Sequence, residues 1–409
     1  MQGRAPRHRR FAMIYDFDSY FDRRNTNCEK WDDLKSTFGR DDILAMWVAD
    51  MDFPAPQPVL DAICAKAREG ALGYPNIPDS LRDAVRGWER ERYGWDFPRE
   101  AVCWAQGVVA GLSFATEAFT KPGDGMIIQT PVYPPFYRTV REAGRNIVKN
   151  PLKYRNGRYV MDFEGLEALV SPTCRVLILC SPHNPVARVW TREELERLAD
   201  IAKRKNMIII SDEIHQDLVY SDAKHTCLAS LPGMEERTVT FVAPSKTFNI
   251  AGMKASAAII PDEYLRGRYV SVLERFHLNS LNILGIAAME AAYSKCGGWY
   301  EELVAYLEGN RDFAEKFVKE KMPKAHMDHP EGTYIFWIDF RGYGFDDRSL
   351  TDFLVNDAKV ALDPGSWFGE EGNGFARINV GTRRALLAEG LERIAAALEK
   401  RENKKKKGK

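Results

Sequence analysis

A lysine stands in an unusual place in this chain. The segment Ala243-Pro-Ser-Lys-Thr-Phe-Asn-Ile-Ala-Gly252 follows directly on the apolar run Thr238-Val-Thr-Phe-Val242. Lys246 is therefore expected at the carboxyl end of a strand buried on both faces, flanked by the hydroxyls Ser245 and Thr247. Most lysines lie in solvent, and a turn lysine is compatible with this one taken alone. The chemical alternative is an amine that attacks a carbonyl to form a Schiff base, for which it must be deprotonated near neutral pH.

Two more polar residues follow buried runs. Ser211-Asp-Glu-Ile-His-Gln-Asp217 comes after Met207-Ile-Ile-Ile210 and puts Asp212 at a strand end. Cys180-Ser-Pro-His-Asn-Pro185 ends the run Val176-Leu-Ile-Leu-Cys180 and puts Asn184 at another. Ligand sites of open parallel sheets collect at this edge. A buried carboxylate there needs a positive partner, and a protonated pyridine nitrogen would serve. Singly, Asp212 also reads as a helix N-cap and Asn184 as a turn residue before proline. Asn, Asp and Lys from three successive strand ends are not well explained that way.

Other chemistries lose their signatures. There is no G-x-x-x-x-G-K-[ST], no G-x-G-x-x-G and no G-x-S-x-G, so the P-loop, the dinucleotide fold and the nucleophile elbow are not indicated. His326-x-x-His329 is the one close histidine pair. Without carboxylates or cysteines at metal spacing it reads as part of a solvated loop, and no metal site is expected.

The elements that must position these residues alternate. Met126-Ile-Ile-Gln joins the three runs above as a continuous apolar strand, buried on both faces. Between two of them, Thr191 to Lys205 opens with a capping box, Thr191 with Glu194, and places Leu195, Leu198, Ala199 and Ala202 on one helical face. Strand, helix and strand repeated from about residue 100 to 260 predict an α/β fold with a mostly parallel sheet. The last third changes character. Helices dominate 285–320, then come the strand Tyr334-Ile-Phe-Trp-Ile-Asp-Phe340 and a final helix striped with Leu386, Leu387, Leu391, Ile394 and Leu398. This predicts a smaller α+β domain. The division expected is 1–54 as a segment packing with the smaller domain, 55–292 as the large domain, 293–400 as the small one, and 401–409 as a disordered Lys-rich tail.

Composition sets the outer limits. The 409 residues carry 58 Lys+Arg and 58 Asp+Glu, a balance that argues against a basic nucleic-acid binder or an acidic scaffold. With 45% hydrophobic residues the bulk is not disordered. Seven cysteines, an odd number without C-x-x-C, fit reduced thiols in a cytoplasmic protein. The Arg-rich Met1 to Arg10 is followed by too short an apolar run for a signal peptide. No stretch approaches the ~18–20 apolar residues of a membrane span.

The strings Met46-Trp-Val-Ala-Asp-Met-Asp-Phe53, Ser181-Pro-His-Asn-Pro185 with Arg188-Val-Trp190, Ser211-Asp-Glu-Ile-His215 and Ser245-Lys-Thr-Phe-Asn-Ile-Ala-Gly252 occur in this order. Together they resemble the pyridoxal-phosphate (PLP) enzymes of the aspartate-aminotransferase-like fold, fold type I, over about residues 45–395. The resemblance is closest to the branch of cystathionine β-lyases and cystalysin-like C–S lyases. It implies PLP as cofactor and a homodimer with shared sites. Lys246 would form the Schiff base and move the substrate's Cα proton, and Asp212 would pair with the pyridinium nitrogen. Asn184 would bond the ring's 3-oxygen, and Tyr133, in Thr130-Pro-Val-Tyr-Pro-Pro135, would stack on the ring. The backbone N–H groups of Val108 and Val109, opening a helix after Gly107, would face the phosphate, with Ser245 adding a hydroxyl. Tyr74, in Leu72-Gly-Tyr-Pro75, would reach the phosphate of the neighbouring subunit. Arg377, in Phe375-Ala-Arg-Ile-Asn379, would clamp the substrate α-carboxylate.

Three positions depart from common family patterns. Lys254 stands where a phosphate-binding arginine is frequent and offers a point charge in place of a fork. His215 stands where many aminotransferases have tyrosine, in agreement with the lyase branch. Ala187 replaces the glycine of an Asn-Pro-x-Gly turn. Spacing and composition do not choose between transamination and loss of a β-thiolate. The resemblance favours β-elimination from cystathionine, cysteine or another S-substituted cysteine, with an aminotransferase as the alternative and a regulatory binding protein ranked below it.

Overall fold

The computed structural model describes residues 14–407; the Arg-rich start and the last two residues lie outside them. Its frame is a seven-stranded sheet. The strands are β1 (Val102–Ala105), β2 (Gly125–Ile128), β3 (Asn146–Lys149), β4 (Val176–Cys180), β5 (Ile208–Asp212), β6 (Thr238–Val242) and β7 (Ser256–Ile259). Their spatial order is β1-β7-β6-β5-β4-β2-β3. The pairs from β6 through β3 are parallel, and β7 runs antiparallel to both its neighbours. All five residues of β4 and of β6 are buried, because helices cover both faces of the sheet, as their unbroken apolar runs require.

The flanking helices are α1 (Gln57–Arg68), α2 (Asp79–Tyr93), α3 (Val108–Phe119), α4 (Pro134–Glu142), α5 (Arg192–Arg204), α6 (Glu263–Arg275) and α7 (Ile283–Lys295). On one face Leu112 of α3 and Leu265 and Tyr269 of α6 join a core with Ile128, Ile178 and Phe241. On the other, Leu195, Leu198 and Ala202 of α5 meet Leu177 and Ile209. Burying a leucine of this kind contributes about 1.5–3 kcal/mol. The expected capping box is present: Glu194 N donates to Thr191 Oγ1 at 3.2 Å and Thr191 N to Glu194 Oε2 at 2.9 Å.

Beyond α7 lie α8 (Gly297–Lys321), the strands β8 (His326–Met327), β9 (Ile335–Asp339), β10 (Asp363–Pro364) and β11 (Phe375–Asn379), and α9 (Arg384–Lys407). The four strands form an antiparallel sheet in the order β8-β9-β11-β10. The N-terminal segment packs here from Ile14 on. Leu44 and Ala45 pair in parallel with Val360 and Ala361, and the Phe17 ring lies 5.1 Å from Phe53 and 5.5 Å from both Trp299 and Tyr306. Among the described residues, no helix is long and apolar enough to cross a membrane.

Two expectations change. The Lys-rich stretch expected as a disordered tail from residue 401 is helical as far as Lys407. Lysine and glutamate favour helix, and cations suit the negative end of its dipole. The last turns are also tied down: Arg401 Nη1 and Lys405 Nζ donate to Tyr343 O at 2.8 and 3.3 Å, and Lys324 pairs with Glu402. His326 and His329 are both exposed, as expected of a solvated stretch, but only His329 lies in a loop. His326 lies in β8 beside Asp328 (2.7 Å), and His329 is held between Asp222 (2.7 Å) and Glu315 (2.8 Å).

Candidate active site

The parallel strands end on one edge of the sheet, and that edge is hollow. A cavity of about 440 Å³ opens there, lined by Gln106, Gly107, Val108, Val109, Tyr133, Asn184, Asp212, His215, Ser245, Lys246 and Lys254, among others. Of the residues singled out from the sequence, all but Arg377 and Tyr74 line it. They come from the ends of β4, β5 and β6, from the start of α3 and from the turns before α4 and β7.

Asp212 is the last residue of β5, directly opposite Cys180 of β4. Its Oδ1 accepts the Ile214 N–H at 3.2 Å, a local turn contact; no helix follows, so it is not an N-cap. Among the described residues, no Lys, Arg or His nitrogen lies within 4.0 Å of its carboxylate. Burial lifts its pKa to about 7, the Ile214 N–H and the Lys246 charge opposing. Lys246 sits in the short helix Pro244–Thr247 after β6. Its Nζ donates to Ala49 O at 2.5 Å, and burial lowers its pKa to about 8. About a tenth is then the free amine at pH 7, far more than for an ordinary lysine. Burial also pushes the His215 imidazole far below its ordinary value, and the Lys246 and Arg377 charges add to that, so it is neutral. Tyr133 is held up at about 12, by burial first and the Asp212 charge next.

A buried cluster holds the lysine's turn in place. Asp217 accepts from Thr247 Oγ1 at 2.6 Å, from Trp88 Nε1 at 2.9 Å and from Tyr93 Oη. The residue after the lysine is so fixed to α2 through one carboxylate with three donors.

At the cavity's other end α3 begins. Its first residue follows Gly107, which has φ +97° and provides no side-chain cap. A side chain there would be strained, and its Cβ would stand 3.7 Å from Lys254 Cδ. The uncapped N-terminal N–H groups, with Ser245 and Lys254 beside them, make an anion cradle. Lys254 itself takes the left-handed φ of +50°.

Arg377 arrives from the second sheet. It is buried in β11, where Nη1 donates to Asn184 Oδ1 at 3.0 Å and Nη2 to Trp47 O at 3.2 Å. Nη2 also meets Asp363 Oδ2. With the Asn184 oxygen turned to Arg377, its amide N–H₂ is left for another acceptor. Tyr74 is not brought to this cavity; it is fully exposed between α1 and α2. The turn at Ala187 keeps a left-handed φ of +55° without glycine. Its carbonyl accepts the Glu331 and Gly332 N–H groups at 2.9 and 3.3 Å, which hold the strained residue in place.

Sequence reasoning missed the backbone of residues 46–53. Trp47 O and Ala49 O receive Arg377 and Lys246, Tyr334 Oη also donates to Ala49 O (2.9 Å), and Asn379 Nδ2 donates to Val48 O and Asp50 O, each at 2.6 Å. Carbonyls leave no mark on residue type, so only the string as a whole could have pointed there. Asp363 and Asp217 were missed as well. Among the described residues no group of three or more His, Cys, Asp or Glu is placed to hold a metal ion.

The site fits pyridoxal phosphate on this chain's own geometry. A buried carboxylate without a cation faces the cavity, an uncapped helix start with Ser245 and Lys254 lies at one end, and an amine of lowered pKa projects between them. Comparison with known proteins agrees. The family described as aminotransferase class I and II matches residues 42–394. Cystathionine beta-lyase PatB of Bacillus subtilis (strain 168) is 44% identical over 385 residues, 94% of this chain and 100% of that protein. The crystal structure of cystalysin from Treponema denticola, which contains a pyridoxal 5'-phosphate cofactor, matches with a TM-score of 0.92 at 35% identity, covering 95% of this chain and 100% of that one. The PLP-bound C–S lyase from Staphylococcus hominis matches with a TM-score of 0.88 at 33% identity, covering 95% and 99%.

Proposed function

This chain belongs to the aminotransferase class I and II family, and from that membership and its site we infer a PLP-dependent cysteine–sulfur β-lyase. It releases a thiol, pyruvate and ammonia from cystathionine, cysteine or another S-substituted cysteine. The observation that carries this reading is the 44% identity, over nearly the whole of both chains, to a cystathionine beta-lyase.

When bound, pyridoxal phosphate supplies an aldehyde for the substrate's amine and a ring that draws electrons from Cα. The chain's own residues do the rest. Val108 and Val109 N–H, Ser245 and Lys254 would hold the phosphate. Asp212 would keep a negative charge against the ring nitrogen, and a cation placed there would lower the pKa that burial has raised. Asn184, its oxygen taken by Arg377, would donate its amide to the ring's 3-oxygen. Tyr133 and His215, both lining the cavity, would contact the ring. Arg377 holds the substrate's α-carboxylate. Lys246 Nζ takes the proton from Cα as the thiolate leaves Cβ, and the released aminoacrylate hydrolyses to pyruvate and ammonia. A pKa of about 8 suits an amine that must accept and return a proton near neutrality.

The working unit is a homodimer in which Tyr74 reaches the phosphate of the second subunit. Its full exposure, outside its own chain's cavity, supports this. Residues 55–292 act as the cofactor-binding domain, and 293–400 with the N-terminal segment as the smaller one. Seven unpaired cysteines support a cytoplasmic location. The test is pyruvate release from L-cystathionine and L-cysteine by the purified protein, run beside a keto-acid-acceptor assay. Transamination faster than pyruvate release makes it an aminotransferase instead.

A further inference from the structure

Arg377 does not wait for a substrate with a free charge. In the antiparallel pair of β10 and β11, Asp363 lies directly opposite it. The two side chains are an ion pair, about 5% and 4% exposed. Of the guanidinium's remaining donors, Nη1 serves Asn184 and Nη2 serves Trp47 O, while Nε is buried with no acceptor. The Phe368 ring closes one face, with its centroid 4.8 Å from Arg377 Cζ. A carboxylate of the chain thus occupies the group that is read here as the receiver of the substrate's α-carboxylate.

We propose that Asp363 determines how tightly this site takes α-carboxylates: it orients Arg377 and, by sharing its charge, holds affinity down. The proposal rests on the reading of Arg377 as the carboxylate clamp. Two carboxylates on one guanidinium stand roughly 5 Å apart, and at an effective dielectric of about 20 their repulsion is worth on the order of a hundredfold in affinity. Burial lifts the Asp363 pKa to about 6, so near pH 7 it can escape further repulsion by taking a proton, which caps the penalty at about tenfold. A neutral residue that keeps an oxygen acceptor on Arg377 removes the repulsion and leaves the orientation.

The test uses the cofactor-loaded protein and two probes without a leaving group: L-alanine, and ethylamine, which lacks the carboxylate. Each dissociation constant is read from the change in cofactor absorbance on titration. Asp363→Asn is isosteric; Asp363→Ser is a second neutral variant in case the first folds poorly. Both are expected to bind L-alanine about tenfold more tightly with ethylamine unchanged, and to lower KM for L-cystathionine without raising kcat. Unchanged or weaker L-alanine binding in a folded variant overturns the proposal, since a residue that only orients Arg377 loses affinity when altered. Arg377→Gln separates the two readings. It is expected to weaken L-alanine by about a hundredfold and spare ethylamine. If it does so while the Asp363 variants do not tighten binding, this proposal alone fails. If L-alanine binding survives Arg377→Gln, the clamp reading fails and the proposal with it.

Discussion

Replacing Asp212 by asparagine changes one charge and little else. The carboxylate is 4% exposed, and its single close hydrogen bond, from the Ile214 N–H at 3.2 Å, can be accepted equally by an amide oxygen. The turn after β5 should therefore survive, and cofactor content should fall only modestly. On the proposed pairing, what is lost is the anion opposite a cationic ring nitrogen in a buried site. Removing one partner of a buried ion pair costs about 3–5 kcal/mol. If that stabilisation is felt mainly as electrons move from Cα into the ring, turnover falls by roughly a few hundred- to a few thousand-fold. The assay is pyruvate release from L-cystathionine per bound cofactor, with occupancy taken from absorbance. Asparagine and aspartate serve turns and caps about equally. A turnover within about threefold of the unaltered protein would therefore refute the pairing and leave Asp212 a turn residue.

The other expectations are shorter. Lys246→Ala should lose the yellow absorbance near ~420 nm and at least ~10³-fold of turnover, because covalent attachment and proton transfer leave together; near-normal turnover would sink its assignment. In the cofactor-free protein Asp212 titrates near 7 instead of 3.8. Its folded pKa is raised, so it favours the fold while protonated, and about 4 kcal/mol of that is lost as pH climbs from 4 through 7. Thermal melts should show the gap between loaded and cofactor-free protein widening from pH 5 to 8, and Asp212→Asn should remove the widening. Mixing Tyr74→Phe with Lys246→Ala subunits should restore one complete site per heterodimer, provided Tyr74→Phe alone is clearly impaired. No recovery despite confirmed subunit exchange, or a monomeric mass in solution, counts against a cross-subunit Tyr74. Ala187→Gly relieves a left-handed alanine, a strain of about 1 kcal/mol, but loosens the unfolded chain by a similar amount. Its melting temperature should move by no more than a few degrees, and a large drop would show that the alanine methyl is packed rather than strained.

Much of the fold was legible because its strands are buried on both faces. Val176–Cys180 and Thr238–Val242 are unbroken apolar runs, and runs of that kind mark sheet interiors whatever follows them. Lys246, Asp212 and Asn184 were legible for the same reason: each directly follows such a run. Arg377 and Tyr74 were readable only through the family resemblance, since neither follows a parallel strand. The carbonyls of Trp47 and Ala49 were not readable at all, because backbone acceptors are the same in every residue. Asp363 was missed because its role comes from a two-residue pairing with β11, far too short for any periodicity. The tail was misread for a different reason. A run of lysines resembles a solvated end, yet Lys324 and the Tyr343 carbonyl give the last turns partners 58 to 78 residues away.

The choice of reaction is hidden from sequence by the same division of labour. Lys246, Asp212 and Asn184 sit on one sheet edge, and in the proposed roles they supply what either reaction needs: an amine, an anion and a hydrogen bond to the ring. Transamination and thiolate loss diverge afterwards, at the cofactor's aldehyde carbon or at Cβ. Residues 46–53, Tyr334, Asp363 and Arg377 reach the edge from the N-terminal segment and from the second sheet, bonded to one another and to Lys246. On the proposed roles, motifs on the sheet report the cofactor, and the contacts between sheets are what remains to bias the product. A substitution at Asp363 or in residues 46–53 should accordingly alter substrate preference and the ratio of pyruvate release to transamination before it alters cofactor binding, whereas one at Asp212 or Lys246 should depress both reactions together.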